Sequence, residues 1–218
     1  MDTAQSEMAE TGSPKRVQML AAARALFMAQ GYGAVSMDAI ARAAGVSKAT
    51  LYAHFSSKDQ LFATIIGDAC RHNIVAEGFM PASEIASWDE LRAALIRYGQ
   101  RMIGFFLEPD SLAIHRIVMA ESARFPELGQ AFYDNGPKRV RSALGLWFAA
   151  QAQAGWLVLP DPVTAAEHFL SLVRGGLYMR ASLNLPFDPD RPGIEEMIVT
   201  AVDMFLRAYR GGEPTPGS

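Results

Sequence analysis

The chain has 218 residues, half of them apolar, and a formal net charge of −3 at pH 7. This length allows one large or two small domains with a sizeable core. No run approaches the roughly 18 uncharged apolar residues that a membrane helix needs, and the polar start of the chain does not resemble a signal peptide. The single cysteine, Cys70, excludes an intramolecular disulfide and is typical of a reducing compartment. We therefore expect a cytoplasmic protein with no membrane partner.

Charge is unevenly distributed along the chain. Of the 20 Lys and Arg and the 23 Asp and Glu, six basic and two acidic residues lie between Lys15 and Asp59. The remainder is acidic. A basic segment joined to an acidic body is the distribution expected if only that segment meets phosphate.

The predicted elements begin after a polar segment, residues 1–14, for which we expect a disordered tail. Residues 15–30 predict a helix with an apolar face that includes Val17, Leu20 and Phe27. Gly31 ends this helix, because glycine readily adopts the backbone conformation that terminates helices.

Residues 36–55 predict two short helices around a tight turn. Ser36 and Ser47 are good N-caps, and Gly45 favours a left-handed C-cap after the first helix. Leu51 is expected to point back at the first helix. This is a helix-turn-helix pattern, and its second helix is of the kind that enters a DNA major groove.

The remaining sequence predicts further helices separated by polar or proline-containing breaks. A capping box at Ser57 and Gln60 opens a helix that runs to about residue 78. The short apolar loop 155–160 could be taken for a strand, but nothing nearby would pair with it. The other predicted helices lie at about 87–107, 110–123, 126–134, 138–154, 162–183 and 194–210. We therefore predict an all-α fold of about ten helices with no sheet.

Two strings make the first part of the chain more specific than a general helix-turn-helix. They are F-M-A-Q-G-Y-G at 27–33, and A-G-V-S at 44–47 followed by L-Y-A-H-F at 51–55 and by Lys58. The segment from about Arg16 to Leu61 resembles the DNA-binding domain of the TetR (tetracycline-repressor) family. Ser36 stands where the family more often has threonine, which keeps the hydroxyl.

The second part of the chain, from about Ser83, resembles the effector domain of AcrR-like members of that family. The strings H-R-I-V-M-A-E-S-A-R-F-P-E-L at 115–128 and A-G-W-L at 154–157 carry this resemblance. The family resemblance implies a three-helix helix-turn-helix head at 15–60 and an effector-binding and dimerisation domain at 61–210, with a flexible tail at 211–218. It also implies a homodimer, joined through the helices at about 138–154 and 162–183, on a palindromic double-stranded DNA operator.

The matching positions of the head offer suitable DNA chemistry. Lys48 can reach guanine or phosphate, and Thr50 offers a hydroxyl and a methyl group. Ser36 and Ser47 are either caps alone or caps that also touch phosphate, and His54 either contacts DNA or packs under the next helix. The predicted DNA-binding residues are Ser36, Ser47, Lys48, Ala49, Thr50, Tyr52, His54 and Lys58.

A small-molecule effector is the further implication of the resemblance, since family members usually bind one in the body. Aromatic and methionine side chains on facing helices could line an adaptable apolar cavity, although such stripes also form ordinary cores. The candidate effector-binding residues are Met102, Phe105, Phe106, His115, Met119, Phe125, Trp147, Phe148 and Tyr178. Arg116, Glu121 and Arg124 are interpreted as a structural ion network.

Catalysis is not expected. The four histidines are scattered, no H-E-x-x-H or Cys/His cluster is present, and we predict neither a metal nor a cofactor. The sequence predicts a DNA-binding transcriptional regulator, namely a repressor released from its operator by a small apolar effector. An activator, or a ligand-independent DNA-binding protein of the same fold, remains the alternative, because operator position sets the sign of regulation.

Overall fold

The computed structural model describes residues 13–73, 84–186 and 193–211. Within these ranges the all-α prediction is confirmed, and none of the helices described there is long and apolar enough to cross a membrane. Most of the predicted tails and the predicted end of the fourth helix lie outside the described residues. The helices are α1 (Pro14–Gln30), α2 (Met37–Ala43), α3 (Lys48–His54), α4 (Lys58–Asn73), α5 (Trp88–Leu107), α6 (Pro109–Glu121), α7 (Pro126–Asn135), α8 (Pro137–Gln153), α9 (Pro162–Ser182) and α10 (Gly193–Tyr209).

Side chains that precede the helices fix where several of them begin. Ser87 Oγ accepts the Glu90 N–H at 3.1 Å, and Glu90 in return accepts the Ala86 N–H at 2.8 Å. Asp161 Oδ2 accepts the Thr164 N–H at 2.7 Å at the start of α9. These local contacts satisfy amides that have no partner inside the helix.

The described residues form two compact units. The head unit contains the described chain up to Ala69 together with Ala113–Gly136, and the body unit contains the rest. These units group the chain by contact and differ from the predicted boundaries at 15–60 and 61–210, because α7 and most of α6 belong with the head unit. The functional assignment of the two domains stays a prediction.

The head unit contains a core of aromatic and aliphatic side chains from α1 and α4. Met19, Ala23 and Phe27, each four residues apart on α1, are buried. The predicted face of this helix was partly wrong, since Val17 is 57% exposed. A helix places residues four apart on one side, and here that side runs through Met19 and not through Val17. Phe27 packs edge-on against Phe62 with ring centroids 5.8 Å apart.

The core of the body unit is built around three phenylalanines of α8, α9 and α10. The rings of Phe148 and Phe205 stack at 4.9 Å, and Phe169 meets Phe205 edge-on at 5.3 Å. Gly99 of α5 is buried against α10, and a Cβ atom there would lie 2.9 Å from Ile198 Cγ2. The lack of a side chain at Gly99 therefore allows these helices to approach closely.

The loop before α9 corrects one detail of the sequence analysis. Leu157 forms an isolated antiparallel bridge with Arg210, whereas the sequence suggested no partner for this apolar loop. The Val158 N–H donates to the Tyr209 carbonyl at 2.9 Å, and the Gly211 N–H donates to the Trp156 carbonyl at 3.0 Å. The partner is the end of α10, about fifty residues later, so local sequence could not reveal it.

Candidate nucleic-acid interface

The two helices of the motif, α2 and α3, meet at the turn that the sequence predicted. Gly45 has φ of +63°, a left-handed conformation that glycine adopts at little cost. The Val46 N–H donates to the Ala41 carbonyl at 3.0 Å, which closes the end of α2. Ile40 and Leu51 are fully buried and join the two helices. This packing leaves the opposite face of α3 free of the core.

The exposed face of the motif contains most of the predicted DNA-binding side chains. Both serines act as caps, since Ser36 Oγ accepts the Ala39 N–H at 3.2 Å and Ser47 Oγ accepts the Thr50 N–H at 3.1 Å. The hydroxyls of Ser47 and Thr50 also lie 2.8 Å apart. Of the predicted residues, Ser36, Ser47, Lys48, Ala49 and Tyr52 are exposed, while Thr50, His54 and Lys58 are half-buried.

Lys48 forms an ion pair across the motif. Its Nζ lies 2.9 Å from Asp38 Oδ1, and both side chains are exposed. The hydrogen bond to Asp38, and then its negative charge, raise the pKa of Lys48. The same ammonium lies 5.9 Å from the centroid of the Tyr52 ring. A phosphate that approaches Lys48 would therefore compete with the Asp38 carboxylate.

Lys58 differs from the other predicted residues, because its ammonium is directed at the protein. Nζ donates to the Tyr32 carbonyl at 2.8 Å and to the Val35 carbonyl at 3.0 Å. It also lies 4.1 Å from the centroid of the Tyr32 ring. The pKa of Lys58 is lowered, because the effect of burial exceeds the opposing effect of the negative charges of Asp59 and Glu121. The geometry gives Lys58 a structural role, and its phosphate contact stays a prediction from the family resemblance.

Glu121, the last residue of α6, holds the turn between α1 and α2 from the other side. Its two carboxylate oxygens accept the N–H groups of Tyr32 and Gly33, both at 2.5 Å. A Cβ atom on Gly33 would lie 2.8 Å from Glu121 Oε2 and 2.9 Å from the Phe125 ring. The glycine at this position is therefore required by the close approach of Glu121 and Phe125.

Tyr32 lies at the centre of this arrangement and is almost fully buried. Its hydroxyl donates a short hydrogen bond to Asp59. Burial, and then this hydrogen bond, raise the pKa of the Tyr32 hydroxyl, so it stays protonated. The Tyr32 ring meets Phe125 edge-on at 5.5 Å. We refer to Tyr32, Lys58, Asp59, Glu121 and Phe125 as the turn cluster.

The predicted effector-binding residues do not form one group in the described structure. His115, Met119 and Phe125 belong to the head unit, where Phe125 is part of the turn cluster and Met119 is exposed. Met102, Trp147 and Phe148 are buried in the body unit. Buried aromatics of this kind fit the core interpretation at least as well as a ligand site.

Phe105, Phe106 and Tyr178 form a separate, half-buried aromatic group in the body unit. The rings of Phe105 and Phe106 lie 6.0 Å apart, and those of Phe106 and Tyr178 lie 5.5 Å apart. These three half-buried residues stay candidates for ligand contact, and the role of the whole predicted set stays a prediction.

Sequence reasoning missed two residues that shape the interface. Asp38 lies in the first turn of α2, and its position ten residues before Lys48 gave no sign of an ion pair. Glu121 was assigned to an ion network with Arg116 and Arg124, but its carboxylate instead accepts the Tyr32 and Gly33 amides.

No group of His, Cys, Asp and Glu that could hold a metal occurs among the described residues.

Two family models match the chain. Residues 19–65 match the model described as bacterial regulatory proteins, tetR family. Residues 93–211, just over half of the chain, match the model described as AefR-like transcriptional repressor, C-terminal domain. The description of the second model specifies AefR-like, where the sequence resemblance suggested AcrR-like.

Individual relatives agree with these matches. The solved structure of the flavonoid-responsive regulator FrrA is 37% identical, has a TM-score of 0.76, and is matched over 90% of this chain and 97% of that chain. The transcriptional regulator MftR of Mycobacterium tuberculosis is 31% identical over 157 residues, which are 66% of this chain and 74% of MftR. The HTH-type transcriptional activator FasR of Mycolicibacterium smegmatis is 50% identical over 52 residues, only 24% of each chain.

Replacing Asp38 with asparagine should strengthen DNA binding. The change removes a negative charge from the exposed face and releases Lys48 for phosphate, so we expect affinity to rise by ~3- to 10-fold at low salt, with a smaller gain at high salt. Titration of a labelled operator at two salt concentrations measures this. Asp89→Asn, at the start of α5 and outside the motif, is the control. An Asp38→Asn protein that binds more weakly would show that Asp38 supports the interface.

Replacing Glu121 with alanine should destabilise the head unit, because two amides lose a charged acceptor. We expect a loss of about 2 kcal/mol, which corresponds to ~4–8 °C in melting temperature for a chain of this size. Thermal denaturation followed by circular dichroism measures it. Glu127→Ala, which removes an exposed carboxylate from the next helix, should change the melting temperature little. Equal melting temperatures for the two variants would contradict the role given to Glu121.

Proposed function

The chain belongs to the TetR family and is a DNA-binding transcriptional regulator, and we propose that it is a homodimeric repressor released from a palindromic operator by a small molecule. The exposed face of α3 on a head that matches the family carries this proposal. The description of the C-terminal model, a transcriptional repressor, supports the sign of regulation. FasR is named an activator but matches only the head segment, so activation remains the second candidate.

DNA contact is assigned to the exposed face of α3. Lys48 and Tyr52 occupy adjacent turns of this helix, with the ammonium 5.9 Å from the ring centroid. Lys48 supplies a positive charge to phosphate or guanine, and Tyr52 supplies a hydroxyl to phosphate. Ser36 and Ser47 remain candidates for phosphate contact, because their hydroxyls are exposed while they cap α2 and α3. Thr50 and His54 remain secondary candidates, since both are half-buried.

Replacing Lys48 or Tyr52 with alanine should abolish operator binding at concentrations that saturate the wild type. Each loss is expected to cost about 1–3 kcal/mol per half-site, and a dimer carries it twice, which gives a ~30- to 20,000-fold weaker affinity. Gel-shift titration measures the effect. Lys138→Ala and Tyr133→Ala are the matched controls, and Tyr133 has the same 43% exposure as Tyr52. Wild-type affinity in both α3 variants would refute the assignment.

Dimerisation is assigned to α8 and α9. Large apolar side chains on these helices are exposed in the single chain, including Leu146 at 75% and Met179 at 62%, and Leu183, which directly follows α9, is 63% exposed. Apolar groups left in water at this density favour a partner surface. A Cβ atom placed on Gly145 of α8 would lie 3.2 Å from Val163 Cα at the start of α9. The lack of a side chain at Gly145 therefore lets the two helices approach closely. Closely paired helices of this kind give a rigid surface for a second copy.

Replacing Leu146 with arginine should convert the dimer to a monomer, because a charge would be buried without a partner at the interface. Light scattering coupled to size-exclusion chromatography measures the mass in solution, and operator affinity should fall with it. Val158→Arg is the control, because Val158 is exposed to a similar degree but lies in the loop before α9. A Leu146→Arg protein that stays dimeric would place the interface elsewhere.

The effector is assigned to the body unit and is expected to be a small, largely apolar molecule. Support comes from the half-buried aromatic group of Phe105, Phe106 and Tyr178. FrrA, which is 37% identical, is named for its response to flavonoids, and flavonoids are planar aromatic compounds. Release of DNA then requires that the effector bind the DNA-competent and DNA-incompetent states with different affinity.

A further inference from the structure

We propose that Arg174 anchors the effector through an acidic group, so that the ligand is a planar aromatic compound carrying a carboxylate or an ionised phenol. This inference deepens the proposed function, because it rests on effector binding in the body unit. The site consists of Arg174, Phe106 and Tyr178. The acidic group pairs with the guanidinium, and the aromatic ring of the ligand lies beside the two aromatic side chains.

The first observation is the environment of the Arg174 guanidinium. Its Cζ atom lies 4.7 Å from the centroid of the Phe106 ring and 5.3 Å from that of Tyr178. The Nε atom is buried and has no hydrogen-bond partner among the described residues. The described part of the chain also supplies no carboxylate in an ion pair with Arg174. Within the described residues, the contacts of the Arg174 cation are therefore the two aromatic rings.

This arrangement is incomplete in chemical terms. Contact with aromatic rings offsets part of the cost of withdrawing a guanidinium from water. It does not satisfy the buried Nε–H, and the N–H donors of a guanidinium form a planar fork suited to the two oxygens of a carboxylate or to a phenolate. A bound organic anion would supply both the missing charge and the missing acceptors.

The second observation is the backbone next to Arg174. Gly175 has φ of +49° and ψ of −159°, which interrupts the helical conformation of α9 directly after the arginine. A Cβ atom on Gly176 would have no neighbour within 4 Å. Open space therefore adjoins the sequence segment directly after Arg174.

The third observation favours an aromatic ligand over a simple anion. The rings of Phe106 and Tyr178 lie 5.5 Å apart and are tilted by 58°. Phe105 lies 6.0 Å from Phe106 and extends this apolar wall. Flat rings gain from offset or edge-to-face contact with such side chains, whereas an inorganic anion would gain nothing from them.

The test compares aromatic acids with their neutral amides on the full-length protein. Benzoate, 2-naphthoate and 9-anthroate are titrated beside the corresponding amides by isothermal calorimetry. We expect the wild type to bind at least one acid more than ~10-fold tighter than its amide. Arg174→Met should lose that preference, and Arg174→Lys, which keeps the charge, should retain part of it. Arg101→Met, which removes an exposed arginine of α5, should behave as the wild type.

Three results would overturn the inference. They are wild-type protein that binds none of the acids, wild-type protein that binds acids and amides equally, and Arg174→Met protein that keeps the full preference for the acid. Thermal denaturation of each variant checks that the fold is retained, and Arg174→Lys supplies the charge comparison if the methionine variant is unstable.

The same variants separate this inference from the proposed function. Ligand-free Arg174→Met should bind the operator as the wild type does, because Arg174 is neither one of the α3 side chains assigned to DNA contact nor one of the exposed apolar side chains assigned to the dimer surface. If an acid binds through Arg174 but leaves operator affinity unchanged, the anchor stands and ligand-controlled release fails. If neutral amides release the operator and acids do not, ligand-controlled release stands and the anchor fails.

Discussion

The direction of the DNA-binding motif depends on how the turn between α1 and α2 is held. This turn contains amides and carbonyls that neither helix can satisfy. Glu121 accepts the Tyr32 and Gly33 N–H groups, while Lys58 donates to the Tyr32 and Val35 carbonyls. A carboxylate from α6 thus accepts hydrogen bonds from the amides of this short segment, and an ammonium from α4 donates hydrogen bonds to its carbonyls. Hydrogen bonds to charged groups are stronger than neutral ones, so the turn is fixed and the motif after it is oriented.

A second feature of the interface is the distribution of its charged side chains. The basic residues that would attract phosphate are few, and one of them is already paired with Asp38 in the unbound protein. Such an exposed pair is weak and is screened by salt, so DNA can displace the carboxylate at modest cost. The pair lowers affinity for DNA in general, while contacts to base edges remain available to the correct sequence. Specificity would benefit, since non-specific binding is almost entirely electrostatic.

The success and failure of sequence reasoning here follow from the range of each interaction. The caps at Ser36, Ser47, Ser87 and Asp161 and the left-handed Gly45 act within four residues, so the helix boundaries were predictable. The contact of Glu121 with Tyr32 and the bridge between Leu157 and Arg210 join segments fifty or more residues apart, and no local pattern encodes them. Lys58 lies between these cases, because its position was recognised from a family string while its partners are set by the fold. The DNA-binding and effector-binding residues stay predictions. Among them, Lys48 and Tyr52 have exposed side chains, whereas the side chain of Phe148 is buried.

The most direct test of this account is selection of bound sequences from random duplex DNA, followed by footprinting of the enriched sequence with the full-length protein. We expect a short palindrome with two protected half-sites about one helical turn of DNA apart, ~10 base pairs from centre to centre. We also expect affinity for this sequence to fall steeply as salt rises. Enrichment of no sequence, with only general salt-sensitive binding, would contradict a dimeric, sequence-specific regulator.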